Sequence, residues 1–378
     1  MSILLYGKHG RHKIQGVALL SVLVVTAILS GILWTITYRQ ETEQMRTGNI
    51  MQKNQAMLYV MGMEAWVKNF LRQDLAKNNY DGITDFWYDQ EGIFPVDGGV
   101  LTGYIEPLQA KYNINNFALL AFALADAEDT NKQSTAQSAS LRQPSQQSSQ
   151  QSLQQALQQE EQTLTSILQQ LKIDTNTIFA ILDWLDPDQN PRGDHTESDD
   201  YRGKNPSYRN ADYAIASLDE LKVVQGFDQR DSLDILERIK KYLVALPVKT
   251  PLNVNLADAT LIQALDKSIS INMAEEVIAI RAAQQGQLFP TNAAFYQALQ
   301  QADKTHAASS TYNTAENQQN HQQKTWQDRI PAERISVAND FFMLYTQYSF
   351  NDTDYIAHSL IQRVGAGDIR ILQRILIP

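Results

Sequence analysis

The most evident chemistry in this 378-residue chain lies in an acidic stretch, DWLDPDQNPRGDHTESDD, from Asp183 to Asp200. The stretch holds seven carboxylates and a single arginine, Arg192. Because like charges repel when they are crowded on a short segment, these carboxylates need a neutralising cation. Carboxylate and amide oxygens are the ligands that Ca²⁺ prefers in proteins. The stretch is therefore a candidate calcium site.

The spacing of its oxygen-bearing side chains imitates part of a calcium loop. The sixth place of such a loop is normally glycine, but here it is Pro191, so this segment cannot turn as an EF-hand does. We expect a structural Ca²⁺ site, and the alternative is a solvated turn that binds no ion. The candidate ligands are Asp186, Asp188, Asn190, Asp194, Glu197 and Asp200.

Enzymatic chemistry has little support in the sequence. The histidines that follow the N-terminal region form no metal-ligand pair and flank no nucleophile motif. Asp183 and Asp186 could form an acid pair for glycoside hydrolysis, but only Trp184 nearby suggests a sugar cleft. The chain has no cysteine, which excludes thiol catalysis, zinc–thiolate sites and disulfides. We therefore expect that the protein is not an enzyme.

A single apolar segment must position the rest of the chain. Val17 to Tyr38 runs for 22 residues without an acidic or basic side chain. A helix of this length crosses a hydrocarbon layer of about 30 Å. The preceding residues include Lys8, Arg11 and Lys13 and no acid, so the positive-inside tendency keeps the N-terminus in the cytoplasm. The remainder of the chain would then lie outside the cytoplasm.

The start of this segment resembles the type IV prepilin and pseudopilin class, in which a basic leader ends at a glycine before an apolar run. The resemblance implies that a membrane peptidase cuts between Gly16 and Val17 and that Val17 is then methylated. Most members of the class have glutamate as the fifth mature residue, where this chain has Ser21. Because Ser21 cannot pair with the N-terminal amine of a neighbouring subunit, it indicates a subunit at the tip of a filament.

The remaining sequence predicts an α+β fold. Residues 39–116 and 331–378 would form one pilin-like domain, with an antiparallel sheet built from both ends of the chain and packed on the long N-terminal helix. Helical spacing continues from Arg39 to about Asp74. The residues expected to contact the globular body are Ile50, Met57, Met61, Ala65, Val67 and Phe70.

Between these parts lies a large helical insertion. We divide it into a first insert, 117–246, and a second insert, 247–330. Two polar tracts, a Gln/Ser-rich one over 131–161 and another over 303–327, are predicted as loops because they carry too little apolar surface to fold alone.

The second insert resembles a helix-hairpin-helix or SAM-like bundle. Helix-hairpin-helix modules often bind DNA, so the alternative function is a membrane-anchored, extracytoplasmic DNA-binding protein of a pilus or competence-like system. The hairpin, DKSISIN, has no glycine, and its only cation is Lys267. Since the formal net charge is −10, the sequence argues against nucleic acid as a partner.

Longer motifs resemble consecutive landmarks of a single family. ILDWLDPDQNPRGD, DDYRGKNPSYRNADYAIASLDELKVVQGFD and LNVNLADATLIQAL follow one another in order, with GYIEPLQAKYNINN upstream and ISVANDFFMLYTQY downstream. Apart from the two polar tracts, essentially the whole chain is similar to the type II secretion (general secretion pathway) protein K family. Its calcium motif carries over onto Asp186, Asp188, Glu197 and Asp200, whereas Asn190 and His195 lie in a variable segment.

The resemblance to this family implies a function in protein secretion. The resemblance implies a minor pseudopilin at the tip of the periplasmic pseudopilus, which helps to initiate its assembly for export of folded proteins across the outer membrane. It implies an acidic region that binds calcium. The implied partners are the minor pseudopilins I and J, pseudopilin H, the major pseudopilin G, the prepilin peptidase and the inner membrane.

Overall fold

The computed structural model describes residues 12–135, 144–193, 201–227, 232–309, 325–350, 353–365 and 367–377. Its longest element is helix α1, His12–Leu75, whose 64 residues extend for about 96 Å. The large apolar side chains from Val17 to Tyr38 are exposed, and within the described residues α1 is the one helix apolar and long enough to span a membrane. Hydroxyls in this segment donate to carbonyl oxygens three or four residues earlier, so they are satisfied inside the helix.

Beyond the apolar segment, α1 packs on a sheet. The expected contact face was partly wrong, because Ile50, Met61 and Ala65 point away from the sheet. Methionine, alanine and leucine occur on several sides of this part of the helix, so apolar spacing alone does not select one face. The apolar residues that are buried are Ala56, Val60, Met63, Val67 and Leu71.

Within the described residues the strands are β1 (Gly92–Val96), β2 (Gly99–Pro107), β3 (Tyr112–Asn113), β4 (Leu243–Val244), β5 (Leu252–Asn253), β6 (Ile335–Ser336), β7 (Phe341–Phe350), β8 (Thr353–Val364) and β9 (Asp368–Ile377). Five of them form the main sheet in the order β1-β2-β7-β8-β9, with every neighbouring pair antiparallel. Strand β2 from the first third of the chain pairs with β7 near its end, and Tyr104 lies opposite Tyr345. The predicted sheet from both ends of the chain is confirmed.

Two contacts between α1 and the sheet show which end of the sheet lies nearer the apolar segment. The Tyr355 hydroxyl donates to Gln52 Oε1 at 3.4 Å at the end nearer the apolar segment. At the opposite end, Arg72 Nε donates to the carbonyl oxygen of Gly367 at 3.1 Å. The helical insertion leaves the sheet after Pro107 and returns at Phe341, next to the Arg72 end. The insertion therefore extends from the end of the sheet that is distant from the apolar segment.

The insertion is helical, which confirms the mixed α/β class with a helical insert. Its helices share one core, which runs from Tyr112 to Ile335. In the described part of the insertion they include α2 (Asn115–Thr135), α3 (Pro144–Gln170), α4 (Thr175–Leu185), a 3₁₀ helix (Leu218–Val223), α5 (Ser232–Tyr242), α6 (Ala259–Ala264), α7 (Ile271–Ala283), α8 (Asn292–Ser309) and α9 (Trp326–Arg329).

Both loop predictions for the polar tracts were wrong in part. Helix α3 covers 144–161 of the Gln/Ser-rich tract, and α8 and α9 include the two ends of the second tract. Glutamine is a good helix former, and α3 carries apolar residues at Leu157, Leu164 and Ile167 that pack on the core. The middle parts of the tracts, 136–143 and 310–324, lie outside the described residues.

Short parallel strand pairs attach the insertion to the sheet. Strand β3 pairs with β4, and β5 pairs with β6. Gln109 extends this connection, because its Nε2 donates to the Pro251 carbonyl at 3.1 Å while its Oε1 accepts from the Phe341 backbone amide at 3.1 Å. The start of β7 is thereby tied to the chain that leads into β5.

Candidate calcium centre

Helix α4 carries the start of the acidic stretch, and Asp186 is its C-cap. Its N-cap is Asp174, whose Oδ1 accepts from the Thr177 backbone amide at 3.0 Å. This cap satisfies a donor in the first turn that has no partner within the helix. The helix is mostly apolar and buried, and it ends at Leu185. The burial holds Asp183 and Asp186 in fixed positions at the end of a rigid helix.

Arg192 closes the segment back onto α4. Its backbone amide donates to Asp183 Oδ2 at 3.0 Å, and its Nη1 donates to Asp183 Oδ1 at 2.7 Å. The same Nη1 pairs with Asp186 Oδ2, and the guanidinium Nε lies 3.6 Å from Glu161 Oε1 of α3. Because Asp183 is fully buried and both of its oxygens accept from Arg192, it is a structural anchor and not a free ligand.

One carboxylate oxygen of Asp186 could still bind a cation. Its Oδ1 is buried and has no hydrogen-bond partner among the described residues. Burial raises the pKa of Asp186 to about 7, and the charge of Arg192 opposes this rise. An orphaned, buried carboxylate oxygen of this kind costs free energy unless a proton or a cation binds it.

A second carboxylate with the same property lies at Asp212. Its backbone amide donates to the Trp184 carbonyl at 3.2 Å, and its Oδ2 accepts from Gln189 Nε2 at 3.2 Å. Its Oδ1 is buried without a partner in the described part of the chain, and burial raises the pKa of the group. Sequence reasoning missed Asp212 because it lies outside the acidic stretch, although the YRNADY motif around it was recognised.

The other predicted ligands divide into two groups. Asp188 and Asn190 are exposed, and Asp188 Oδ1 accepts from the Asn190 backbone amide at 2.7 Å, which forms a local turn. Asp194, Glu197 and Asp200 lie outside the described residues. Asp186 and Asp212 each have one buried carboxylate oxygen without a hydrogen-bond partner in the described residues, and carboxylate oxygens are the ligand type that a hard divalent cation prefers.

Aromatic side chains pack beside the C-terminal end of α4. The rings of Trp184 and Tyr201 meet edge to face with centroids 5.2 Å apart. Tyr201 is fully buried, and its hydroxyl accepts from the Gln225 backbone amide at 3.1 Å. The Tyr208 hydroxyl donates to the Val223 carbonyl at 2.7 Å. These contacts hold the chain after residue 200 against α4.

The insertion matches two family models. Residues 110–248 match a model described as "Type II secretion system (T2SS), protein K", first domain, and residues 252–314 match a second model with the same description. Together the two matches cover more than half of the chain. The boundary between them falls at the strand pair that starts the second helical unit.

Individual relatives agree with the family models. The type II secretion system protein K of Aeromonas hydrophila is 30% identical over 247 residues, which are 64% of this chain and 66% of that protein. The protein K of Pseudomonas aeruginosa is 25% identical over 368 residues, covering 95% of this chain and 92% of that protein.

A solved structure shares the fold. A chain in the crystal structure of the GspK–GspI–GspJ complex from enterotoxigenic Escherichia coli type 2 secretion system superimposes with a TM-score of 0.60 at 16% identity. The match covers 88% of this chain and 99% of that one. The two family models and the individual relatives show that the chain belongs to the type II secretion system protein K family, and its fold agrees with this.

Proposed function

We propose that this chain is a minor pseudopilin that forms the tip of the periplasmic pseudopilus together with the minor pseudopilins I and J. In this proposal it helps to initiate the pseudopilus, which exports folded proteins across the outer membrane. Pseudopilin H and the major pseudopilin G lie below it. The chain spans the inner membrane once, with its N-terminus in the cytoplasm and its bulk in the periplasm.

The observation that carries this proposal is the position of the helical insertion. The insertion extends from the end of the sheet near Arg72, whereas the apolar segment of α1 lies beyond the opposite end near Gln52. A subunit of this shape leaves α1 free to pack in a filament. Its bulk occupies the space where a further subunit would be added, which favours the tip.

The outward face of α1 supports helix packing with partner subunits. Met51, Leu58 and Met61 are about half exposed or more, and Gly62 and Ala65 are exposed beside them. Their spacing approximates a heptad pattern, and the small residues permit close approach of a second helix. We define these five residues as the α1 stripe.

The first turns of the apolar segment agree with a terminal position. The hydroxyl of Ser21 donates to the Val17 carbonyl at 2.9 Å, so it is satisfied without a partner subunit. A glutamate at this place would need a cation inside the membrane. We infer that cleavage after Gly16 and methylation of Val17 mature the chain, as in other pseudopilins.

Calcium is the cofactor that we propose for this subunit. In this proposal Asp186 and Asp212 each supply a buried carboxylate oxygen, and Asp188 and Asn190 lie exposed nearby in the sequence. The sequence adds Asp194, Glu197 and Asp200, which lie outside the described residues. The bound cation would neutralise the acidic stretch and fix it against α4. Its role is structural, because it would stabilise the folded insertion.

The alternative, binding of DNA by the hairpin between α6 and α7, gains no support from the geometry. In the hairpin, Asp266 Oδ1 accepts from the Ser268 backbone amide at 2.9 Å, and the Ile269 amide donates to the Asp266 carbonyl at 3.0 Å. Asp266 also pairs with Arg329. Backbone amides that a phosphate would need are therefore already engaged within the hairpin.

The proposed function is tested by co-purifying the full-length chain in detergent with tagged pseudopilins I and J from the same system. We expect both partners in a stable complex, and we expect Leu58→Glu to release them because it puts a charge into the α1 stripe. Lys53→Glu, also exposed on α1 but outside the stripe, is the matched control. Recovery of neither partner with the unmodified chain would overturn the proposal.

A further inference from the structure

The loop between α1 and β1 joins the sheet to the second helical unit. The backbone amide of Asp81 donates to the Val337 carbonyl at 2.8 Å, and the Asp81 carbonyl accepts from Asn253 Nδ2 at 3.4 Å. Thr84 Oγ1 donates to the Gly286 carbonyl at 3.1 Å on the same side. We call the segment 76–91 the junction loop, because it contacts both parts of the molecule.

The side chain of Asp81 forms a buried ion pair at the centre of this contact. Arg363 of β8 donates to Asp81 Oδ2 through Nη2 at 2.5 Å and to Oδ1 through Nη1 at 3.3 Å. Asn339 Nδ2 donates to Asp81 Oδ2 at 3.2 Å. Both charged side chains are at most 5% exposed. The negative charge of Asp81 is therefore already balanced by Arg363.

Two more carboxylates lie against this ion pair. Oxygen atoms of Asp74, Asp81 and Asp85 all lie within 4.8 Å of one another. Asp74 Oδ2 accepts from Trp87 Nε1 at 2.9 Å, and Asp85 Oδ2 accepts from the Gly82 backbone amide at 2.9 Å. With one guanidinium for three carboxylates, the cluster has an excess of negative charge. Carboxylates this close do not all ionise without a cost.

The remaining surroundings leave that excess uncorrected. Within the junction loop, Lys77 is a cation near Asp74, whereas Asp340 just before β7 adds another negative charge. A cavity of about 290 Å³ between the junction loop and the second helical unit opens on Asp74 and Asp85, so water and protons reach them. Its remaining wall consists of Lys77, Asn78, Tyr80, Thr84, Phe86, Gly286 and Leu288.

We propose that the junction loop is a proton-sensitive contact, in which protonation of Asp74 or Asp85 reduces the excess charge beside the Asp81–Arg363 pair. With the proton bound, the sheet and the second helical unit are held together firmly. When it leaves, repulsion among the carboxylates loosens the loop. The orientation of the helical insertion on the pilin-like domain thus responds to the pH outside the cytoplasm.

The direction of the effect follows from the titration of the two groups. Burial raises the pKa of Asp74, and it raises the pKa of Asp85 to about 6. A carboxyl whose folded pKa lies above its unfolded value binds protons preferentially in the folded state. The contribution of Asp85 to stability is therefore fully present below about pH 4 and is lost as the pH rises through about 6.

Hydrogen–deuterium exchange of the full-length chain in detergent tests this inference, with rates corrected for the intrinsic effect of pH. In the unmodified chain, we expect peptides from the junction loop to exchange about tenfold faster at about pH 7.5 than at about pH 5. Asp85→Asn mimics the protonated form, so it should exchange slowly at both pH values. Asp74→Asn should reduce the same difference.

Asp354→Asn, an exposed acid on β8, is the matched control and should behave as the unmodified chain does. Equal corrected rates at the two pH values would overturn the proposal, as would a full pH difference in Asp85→Asn. The experiment is repeated with chelator and with millimolar Ca²⁺. If Ca²⁺ slows exchange of the loop at about pH 7.5 in the unmodified chain but not in Asp85→Asn, the cluster is a cation site and the proton mechanism is wrong.

Discussion

Asn115 and Asn255 make equivalent hydrogen bonds in the two helical units. Asn115 Nδ2 donates to the carbonyls of Ile215 and Leu246, and its Oδ1 accepts from the Ile215 backbone amide. Asn255 Nδ2 donates to two carbonyls in the same way, and its Oδ1 accepts from the Phe289 amide at 2.7 Å. In each unit the asparagine two residues earlier accepts from the backbone amide of the central asparagine. The two units therefore begin with the same local structure.

Asn115→Ala should destabilise the insertion strongly. The substitution leaves two buried carbonyls and one buried amide without partners, which should lower the free energy of unfolding by about 3 kcal/mol. Urea denaturation followed by circular dichroism measures this change. Asn54→Ala, on the exposed side of α1, is the control and should stay within about 0.5 kcal/mol of the unmodified chain. Similar effects of the two variants would contradict the role assigned to Asn115.

Calcium should stabilise the folded chain through the acidic stretch. We expect millimolar Ca²⁺ to raise the melting temperature by about 5 °C relative to excess chelator. Asp186→Asn should abolish this gain, whereas Asp97→Asn, an exposed acid in the β1–β2 turn, should retain it. No difference between chelator and Ca²⁺ in the unmodified chain would refute the calcium site.

The calcium effect should also depend on pH. Because burial raises the pKa of Asp186 to about 7, the metal-free chain should lose stability as the pH rises from about 4 through about 7. Ca²⁺ must displace the proton from this carboxyl, so the gain in melting temperature should grow over the same range. Melting curves at several pH values, with and without Ca²⁺, measure both trends. A calcium gain that is constant across the range would show that Asp186 is not a ligand.

Glu64 connects α1 to the far edge of the sheet. It is buried, and its Oε1 accepts from Ser359 Oγ at 2.7 Å and from Arg374 Nε at 2.6 Å. Glu64→Ala removes the partner of a partly exposed arginine and should cost about 2 kcal/mol of unfolding free energy. Arg370→Gln on the same strand breaks the exposed pair with Asp368 and should cost less than about 1 kcal/mol. Chemical denaturation compares them, and equal costs would argue against a special role for Glu64.

Maturation should require the glycine before the apolar segment. Gly16→Leu, and to a smaller extent Gly16→Ala, should block removal of the leader, which intact-mass measurement of the membrane protein detects. In the unmodified chain the mature N-terminus should be methylated Val17. Ser21→Glu should give no gain in secretion, because the carboxylate would lack a partner within the membrane. A Gly16→Leu chain that is cleaved and supports full secretion would contradict this account.

Elements with strong local patterns were predictable from the sequence. The apolar run from Val17 and the strand pairs around Gly99 and Gly367 depend on composition and turn residues that act over a few positions. The face of α1 and the helix within the Gln/Ser-rich tract were not predictable. Both depend on contacts with distant segments, such as the packing of Leu164 in the core of the insertion.

The candidate site was also only partly predictable. The acidic stretch identified Asp186, but its role depends on Arg192, which neutralises Asp183 and one oxygen of Asp186 and leaves the other oxygen unused. Asp212 reaches the end of α4 through a backbone contact with Trp184 that crosses 28 positions of the chain. Pairings of this kind follow from the tertiary fold and leave no signal in the spacing of acidic residues.

The pairing of β2 with β7 constrains the order in which the chain folds. More than 200 residues separate these strands, so the central ladder of the sheet cannot form until the C-terminal segment has been synthesised. Bringing such distant strands together carries a loop-closure entropy that the compact insertion reduces if it folds first. The sheet should therefore be completed last, after the insertion. Until β7 pairs with it, β2 of the β1–β2 hairpin has one edge without a strand partner.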